Sequence, residues 1–198
     1  MKKNALYYFL LICFICVAYS SVAQMHPTLR IALDQNSNVS RIRFIFPDLR
    51  FDLKANGQIS NSFDSSDEDA LSFDYYDRFD NQEKRGKLKS VGSVHIDYYD
   101  NFNGDEKKGK VKSIGELKID YYSRFDHELQ GKIKSIGPEN ITYYGRFDGT
   151  EKEGKLKSIG SVKIDYYGRF DGEEKAGKIK SISGNERGKV HILQNQLF

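Results

Sequence analysis

Tryptophan is absent from this sequence of 198 residues, proline occurs three times and cysteine twice. Both cysteines, Cys13 and Cys16, sit in the apolar stretch near the N-terminus. The rest of the chain therefore has no thiol to act as a nucleophile, bind a metal or form a disulfide, and must hold together by packing and backbone pairing. Strong charge of one sign is also missing. With Lys2 and Lys3 set aside the net charge falls from +3 to +1, because the first 23 residues carry no Asp or Glu. A nearly neutral chain has no electrostatic footprint for nucleic acid. Beyond the N-terminus, no apolar run is long enough to span a bilayer as a helix.

Lys2 and Lys3 precede the apolar run from Ala5 to Ala18, and Ser21-Val22-Ala23 places small residues at the −3 and −1 positions before Gln24. This is the pattern of a secretory signal peptide over residues 1–23. It predicts an exported bacterial protein, in the periplasm, on the outer surface or outside the cell. No transmembrane segment is expected after cleavage. No cysteine stands at the cleavage position to take a lipid. The 198 residues less those 23 leave about 175, enough for one domain.

The remaining chain repeats itself. Units open at Phe73, Ile96, Ile119, Ile141 and Ile164, with spacings of 23, 23, 22 and 23 residues; the short step belongs to "DHELQG" in the unit at Ile119. "VKIDYYGRFD" (Val162 to Asp171) is rich in β-branched and aromatic residues and alternates, with Val162, Ile164, Tyr166, Gly168 and Phe170 on one face. "GEEKAGK" is polar and turn-prone, and "KIKSI" reads as a return strand. Gly interrupts any helical period. In "GKLKSIG" the apolar Leu156 and Ile159 are three apart, which calls for a bulge or a turn near Ser158.

These features predict an all-β repeat array over residues 73–186, an elongated or curled meander of antiparallel hairpins. The alternative is a parallel β-solenoid. Residues 24–72 read as an N-terminal β cap: two strand-like runs, "TLRIALD" and "VSRIRFIF", around the turn cluster "QNSN", then a degenerate repeat at 45–62. In that copy Arg50-Phe51-Asp52 matches Arg78-Phe79-Asp80. An acidic stretch, "FDSSDEDALS", follows; it lacks the ligand spacing and glycine of a calcium loop. Residues 187–198 read as a C-terminal strand and tail. Atypical end units are expected to cap a repeat stack. First strands carry Asp and return strands carry Lys, so neighbouring strands are expected to set Asp against Lys.

Tyr143-x-Gly145-x-Phe147, with Gly154 seven residues after the Phe on a 23-residue period, resembles the MORN repeat. The resemblance covers residues 73–182. It implies elongated, twisted antiparallel sheets of short hairpins that act as scaffolds and interaction modules. The match is partial, since Asp77, Asp100 and Ser123 replace the Gly between Tyr and Phe in three units.

All ten tyrosines after the signal lie in five Tyr-Tyr pairs. Alternation assigns Tyr75, Tyr98, Tyr121, Tyr143 and Tyr166 to the core, together with Phe79, Phe102, Phe125, Phe147 and Phe170. It assigns Tyr76, Tyr99, Tyr122, Tyr144 and Tyr167 to the charged face, followed by Arg78, Arg124, Arg146 and Arg169. In unit two Asn101 and Asn103 replace Arg and Asp together, which suggests that those two residues pair. Planar rings beside arginine forks form a candidate binding strip for a protein partner or a polysaccharide. The same strip also reads as tyrosines stacked on neighbouring cationic stems, stabilising the sheet. His26, His95, His127 and His191 do not recur in register, and no triad or metal spacing appears, so no cofactor and no metal are expected. The function that follows is a non-catalytic binding or scaffolding module at the envelope or outside, directed at protein. The alternatives are a glycan-binding module and a hydrolase with paired carboxylates.

Overall fold

The computed structural model describes residues 27–65, 71–184 and 190–194. The signal segment, and residues 66–70 of the acidic stretch, lie outside the described residues. Among the described residues, fifteen strands form two sheets. β5 (Phe73–Tyr75), β6 (Leu88–Val91), β7 (Val94–Tyr98), β8 (Val111–Ile114), β9 (Leu117–Tyr121), β10 (Ile133–Ile136), β11 (Glu139–Tyr143), β12 (Leu156–Ile159), β13 (Val162–Tyr166) and β14 (Ile179–Ser183) lie side by side in chain order as one ten-stranded sheet. Every pairing in it is antiparallel, so the repeats form a meander and not a solenoid. The sheet is open, with β5 and β14 at its edges.

Local chemistry explains each hairpin. Consecutive units join through two-residue turns, as at Gly160-Ser161 between the paired Ile159 and Val162. Gly92, Gly115, Gly137 and Gly160 open these turns with φ of 54–56°. A left-handed first residue followed by an ordinary one is the type II′ arrangement, whose twist suits a hairpin and whose first position favours glycine. The three-residue spacing of Leu156 and Ile159 is absorbed by a bulge: Thr142 pairs with Ser158 and Tyr143 with Leu156, leaving Lys157 as the extra residue. Both apolar residues then face inward, with exposures of 0 and 1%. The same bulge falls at Lys89, Lys112, Lys134 and Lys180.

The residues expected as end caps do something else. β1 (Thr28–Leu33), β2 (Val39–Ile45), β3 (Leu49–Lys54) and β4 (Ile59–Ser65) form a second sheet, and β15 (Val190–Gln194) joins it parallel to β1. This sheet packs on the face of the array. Its Ile31, Ile42, Phe44, Phe51 and Leu53 share one core with Ile96, Ile119, Ile141 and Ile164 of the repeats. Backbone contacts tie the layers, including a hydrogen bond of 2.9 Å from Val111 N–H to the Gly57 carbonyl. A repeat sheet has one apolar face and needs a second layer over it; the two ends of the chain supply that layer.

Arg50-Phe51-Asp52 lies within β3, where Phe51 is buried and stacks on Phe44 with ring centres 5.6 Å apart. Asp52 is also buried, and accepts hydrogen bonds from Arg43 at 2.8 and 3.0 Å. The tripeptide it resembles in the repeats is built quite differently.

Candidate functional site

Each repeat strand ends at the first tyrosine of its pair. Tyr98, Tyr121, Tyr143 and Tyr166 are buried as expected, whereas Tyr75, on the edge strand, is 55% exposed. The next residue but one starts a tight loop. In units two to five the loop contains a 3₁₀ turn, at Asn101–Asn103, Arg124–Leu129, Arg146–Asp148 and Arg169–Asp171. Asp100 and Ser123 cap this turn in units two and three, and Asp77 caps the loop of unit one, accepting from the N–H of Phe102, Phe125 and Phe79 at 2.9, 3.3 and 2.7 Å. The residue after each Phe returns the bond: Asp80, Asn103, Asp126, Asp148 and Asp171 accept from the N–H three residues earlier, at 2.7–3.3 Å.

This loop overturns the assignment of the phenylalanines to the core. Phe79, Phe102, Phe125, Phe147 and Phe170 are 76–91% exposed. Strand alternation does not extend to them, because the chain leaves the strand two residues before the Arg. It also removes the expected Arg–Asp pair, since the loop aspartate is engaged by a backbone N–H. The arginines instead cover their own phenylalanines: Arg78, Arg124, Arg146 and Arg169 hold the guanidinium carbon 4.7–5.0 Å from the ring centre. Unit two, with Asn101, lacks this cover. The outcome is a ridge of five exposed aromatic rings, four of them backed by arginine. Two strands separate neighbouring rings, about 10 Å at the usual strand spacing. The loops of units two and three enclose an open cleft of about 490 Å³ lined in part by Phe102, Arg124 and Phe125.

The second tyrosines sit at the base of this ridge, and their hydroxyls are used within the sheet. Tyr76, Tyr99, Tyr122 and Tyr144 each donate a hydrogen bond of 2.9 Å to the main-chain carbonyl of Ile96, Ile119, Ile141 and Ile164 of the following unit. Their rings meet the buried tyrosine of that unit edge-on, with centres 5.7–6.1 Å apart. Lysines cover the same rings, as Lys157 does Tyr144 at 4.9 Å. Tyr167, in the last unit, has Lys175 and Lys180 over its ring at 5.8 and 5.5 Å. Of the candidate strip, the arginines therefore reach solvent while the tyrosines knit one repeat to the next.

The charges follow the same junctions. Asp97, Asp120 and Asp165 stand opposite Ser113, Ser135 and Ser181, and take lysines diagonally instead of from directly across. Lys84, Lys107 and Lys152 of the preceding unit reach them at 2.5, 2.5 and 2.9 Å. Burial pushes the Asp97 carboxyl up, but hydrogen bonds from Lys84 and the Tyr98 N–H, with the charges of Lys84 and Lys112, outweigh it and hold it below the usual carboxylate range. Among the described residues no group of three or more His, Cys, Asp or Glu is placed to hold a metal ion.

Burial, then the charges of Asp97 and Asp120, pushes the hydroxyls of Tyr76 and Tyr99 up to about 12. Tyr121, Tyr143 and Tyr166 are raised further by burial. A folded-state value above the unfolded one contributes stability that is whole below the unfolded value, about 10, and is lost as pH rises through the folded value. Stability is therefore expected to fall steeply between about pH 10 and 12, with the phenolate ultraviolet band and the loss of circular dichroism appearing together. Half of the tyrosines ionising near pH 10 in a chain that keeps its circular dichroism would contradict this ladder.

Comparison with known proteins finds no matching family model, no matching curated protein and no matching solved structure.

Proposed function

We propose that this is an exported, non-catalytic binding or scaffolding protein that engages a protein partner through its Phe/Arg ridge, at the cell envelope or outside. The observation that carries the reading is the fivefold exposure of phenylalanine on loops whose own hydrogen bonds are satisfied. Leaving one such ring in water forgoes about 1.5–3 kcal/mol of burial, and the chain does so in every unit. Hydrogen bonds within each loop fix its backbone without a partner, which lowers the ordering cost of binding. Aromatic rings beside arginines are the residue types that dominate protein interfaces. A MORN-like role, in which a hairpin sheet displays one motif many times, belongs to this proposal.

Glycan binding is the second reading, favoured by the regular spacing of the rings. Against it, arginine covers one face of four of the five phenylalanines, and lysines cover the tyrosine rings that a sugar would stack on. The sheet's twist, about 20–25° per strand, also turns successive rings away from a straight fibre.

The test replaces Phe102, Phe125, Phe147 and Phe170 by Ser in the chain from Gln24. Each change should shift stability by no more than about 0.5 kcal/mol, while retention of partners from an envelope extract weakens at least tenfold, about 1.4 kcal/mol. Retention unchanged in the variant would refute the ridge as the binding surface. Retention on insoluble polysaccharide, lost in the variant, would move the assignment to glycan.

A further inference from the structure

The four junctions between the five units are built alike, and both ends of the array carry half of one. At each internal junction the second tyrosine donates to the carbonyl of the next unit's opening residue, as Tyr144 does to Ile164. The lysine after the turn glycine donates to the next unit's turn-glycine carbonyl: Lys87 to Gly109, Lys110 to Gly131, Lys132 to Gly154 and Lys155 to Gly177. The turn lysine pairs with the next unit's aspartate, except from unit three to unit four. There Leu129 replaces the lysine and Thr142 replaces the aspartate, so both partners are lost together. The buried tyrosine of the next unit donates back, as Tyr166 does to the Leu156 carbonyl at 2.9 Å.

The last unit keeps all three donors, Tyr167, Lys175 and Lys178, on the side of β14 where, among the described residues, no further strand of the sheet lies. The Tyr167 hydroxyl and the Lys178 ammonium have no hydrogen-bond partner among the described residues, and Lys175 has no carboxylate. Lys175 and Lys178 are exposed, whereas their internal counterparts Lys152 and Lys155 are half-buried. The first unit keeps the acceptors. Asp74 is exposed and, among the described residues, bonded only within its own unit, to Lys89 at 3.5 Å and to the Tyr75 N–H. Gly86 is exposed where its counterparts Gly109 and Gly177 are buried. Tyr75 is 55% exposed, against 3% for Tyr98.

We propose that the β14 edge of one copy of this chain receives the β5 edge of a second copy, head to tail, continuing the ten-stranded sheet from molecule to molecule. The internal register fixes the pairing. Ile182 meets Leu71 of the second copy, as Ile159 meets Val162. Lys175 takes Asp74, Lys178 takes the Gly86 carbonyl, and Tyr167 takes the Phe73 carbonyl through its second lone pair. Tyr75 becomes buried edge-on against Tyr167 and donates to the Ile179 carbonyl. Sheet edges are usually blunted by residues that repel pairing; these two carry the complementary halves of a junction the chain makes four times over. Strand addition supplies the backbone hydrogen bonds, and the charge pair sets direction and register. A heterologous contact of this kind grows into rings or open filaments. The inference is independent of the Phe/Arg ridge, which lies on the loops.

Sedimentation of the chain from Gln24 over a range of concentrations tests it, with circular dichroism to confirm folding. The unmodified chain should show open-ended association. Asp74→Lys disables the head and Lys175→Glu the tail, and each alone should weaken self-association at least about tenfold. Mixed, the two variants offer one unaltered contact and one in which the Asp74→Lys head meets the Lys175→Glu tail with the charges exchanged, and should recover the association that each lacks alone. A chain monomeric at every concentration would overturn the proposal. So would a head or tail variant that associates as well as the original, because a symmetric edge contact needs only one of the two edges.

Discussion

Replacing Ile119 by Ala lowers the stability of the folded chain by about 2–5 kcal/mol, whereas replacing Phe125 by Ala in the same unit changes it by no more than about 0.5 kcal/mol. Ile119 is fully buried between the two sheets, and its removal leaves a cavity that interlocked strands on both sides cannot collapse to fill. Phe125 is 76% exposed, and its loop is held by Ser123 and Asp126, neither of which depends on the ring. For a domain of this size each kcal/mol moves Tm by about 2–4 °C. The core variant should melt roughly 4–20 °C lower, and the loop variant within about 2 °C of the original. Thermal unfolding by circular dichroism decides it. Equal losses from the two substitutions would return the phenylalanines to the core.

Asp52→Ala is the second large effect, in the covering sheet. The carboxylate is 2% exposed in its side chain and is engaged by Arg43 at 2.8 Å and Arg41 at 3.1 Å. Removing one partner of a buried pair costs about 3–5 kcal/mol, because the remaining charge is left in poor solvent. Here the side chains of Arg41 and Arg43 keep 29 and 27% exposure and can turn to water, which sets the loss at the low end, about 3 kcal/mol. Urea unfolding should show a lower midpoint with an unchanged slope. Replacing Arg43 by Met and Asp52 by Leu together should recover part of the loss, since an apolar pair of similar volume avoids the desolvation. A single variant as stable as the original would mean that the pair does not hold β2 to β3.

Much of this fold is legible in the residues. The period, the antiparallel hairpins, an irregularity near Ser158 and the burial of Tyr98, Tyr121, Tyr143 and Tyr166 all follow from alternation and turn chemistry, which act over a few residues; that the irregularity is a bulge and not a turn is visible only in the pairing. Two features escape such reasoning. The covering sheet depends on β15 returning to pair with β1, a contact between opposite ends of the chain that no local pattern encodes. The ridge escapes alternation because each strand ends before its Phe. A signal for the loop is present: Asp, Ser or Gly two residues before each Phe, and Asn103-Gly104, Asp148-Gly149 and Asp171-Gly172 just after the Phe, mark a capped turn. Arg50-Phe51-Asp52 lacks that flanking chemistry, and there the same tripeptide stays in a strand with Phe51 buried. The linking role of Tyr76, Tyr99, Tyr122 and Tyr144 is only half visible. Their place on the outer face can be read, but the carbonyl each one reaches belongs to the next repeat.

The account rests on which aromatic ring of each unit faces water. Hydroxyl-radical footprinting of the folded chain, read residue by residue by mass spectrometry, measures that directly. Phe102, Phe125, Phe147 and Phe170 should be modified at rates close to those in the unfolded chain, while Tyr98, Tyr121 and Tyr166 are strongly protected. Protected phenylalanines beside readily modified tyrosines would contradict it.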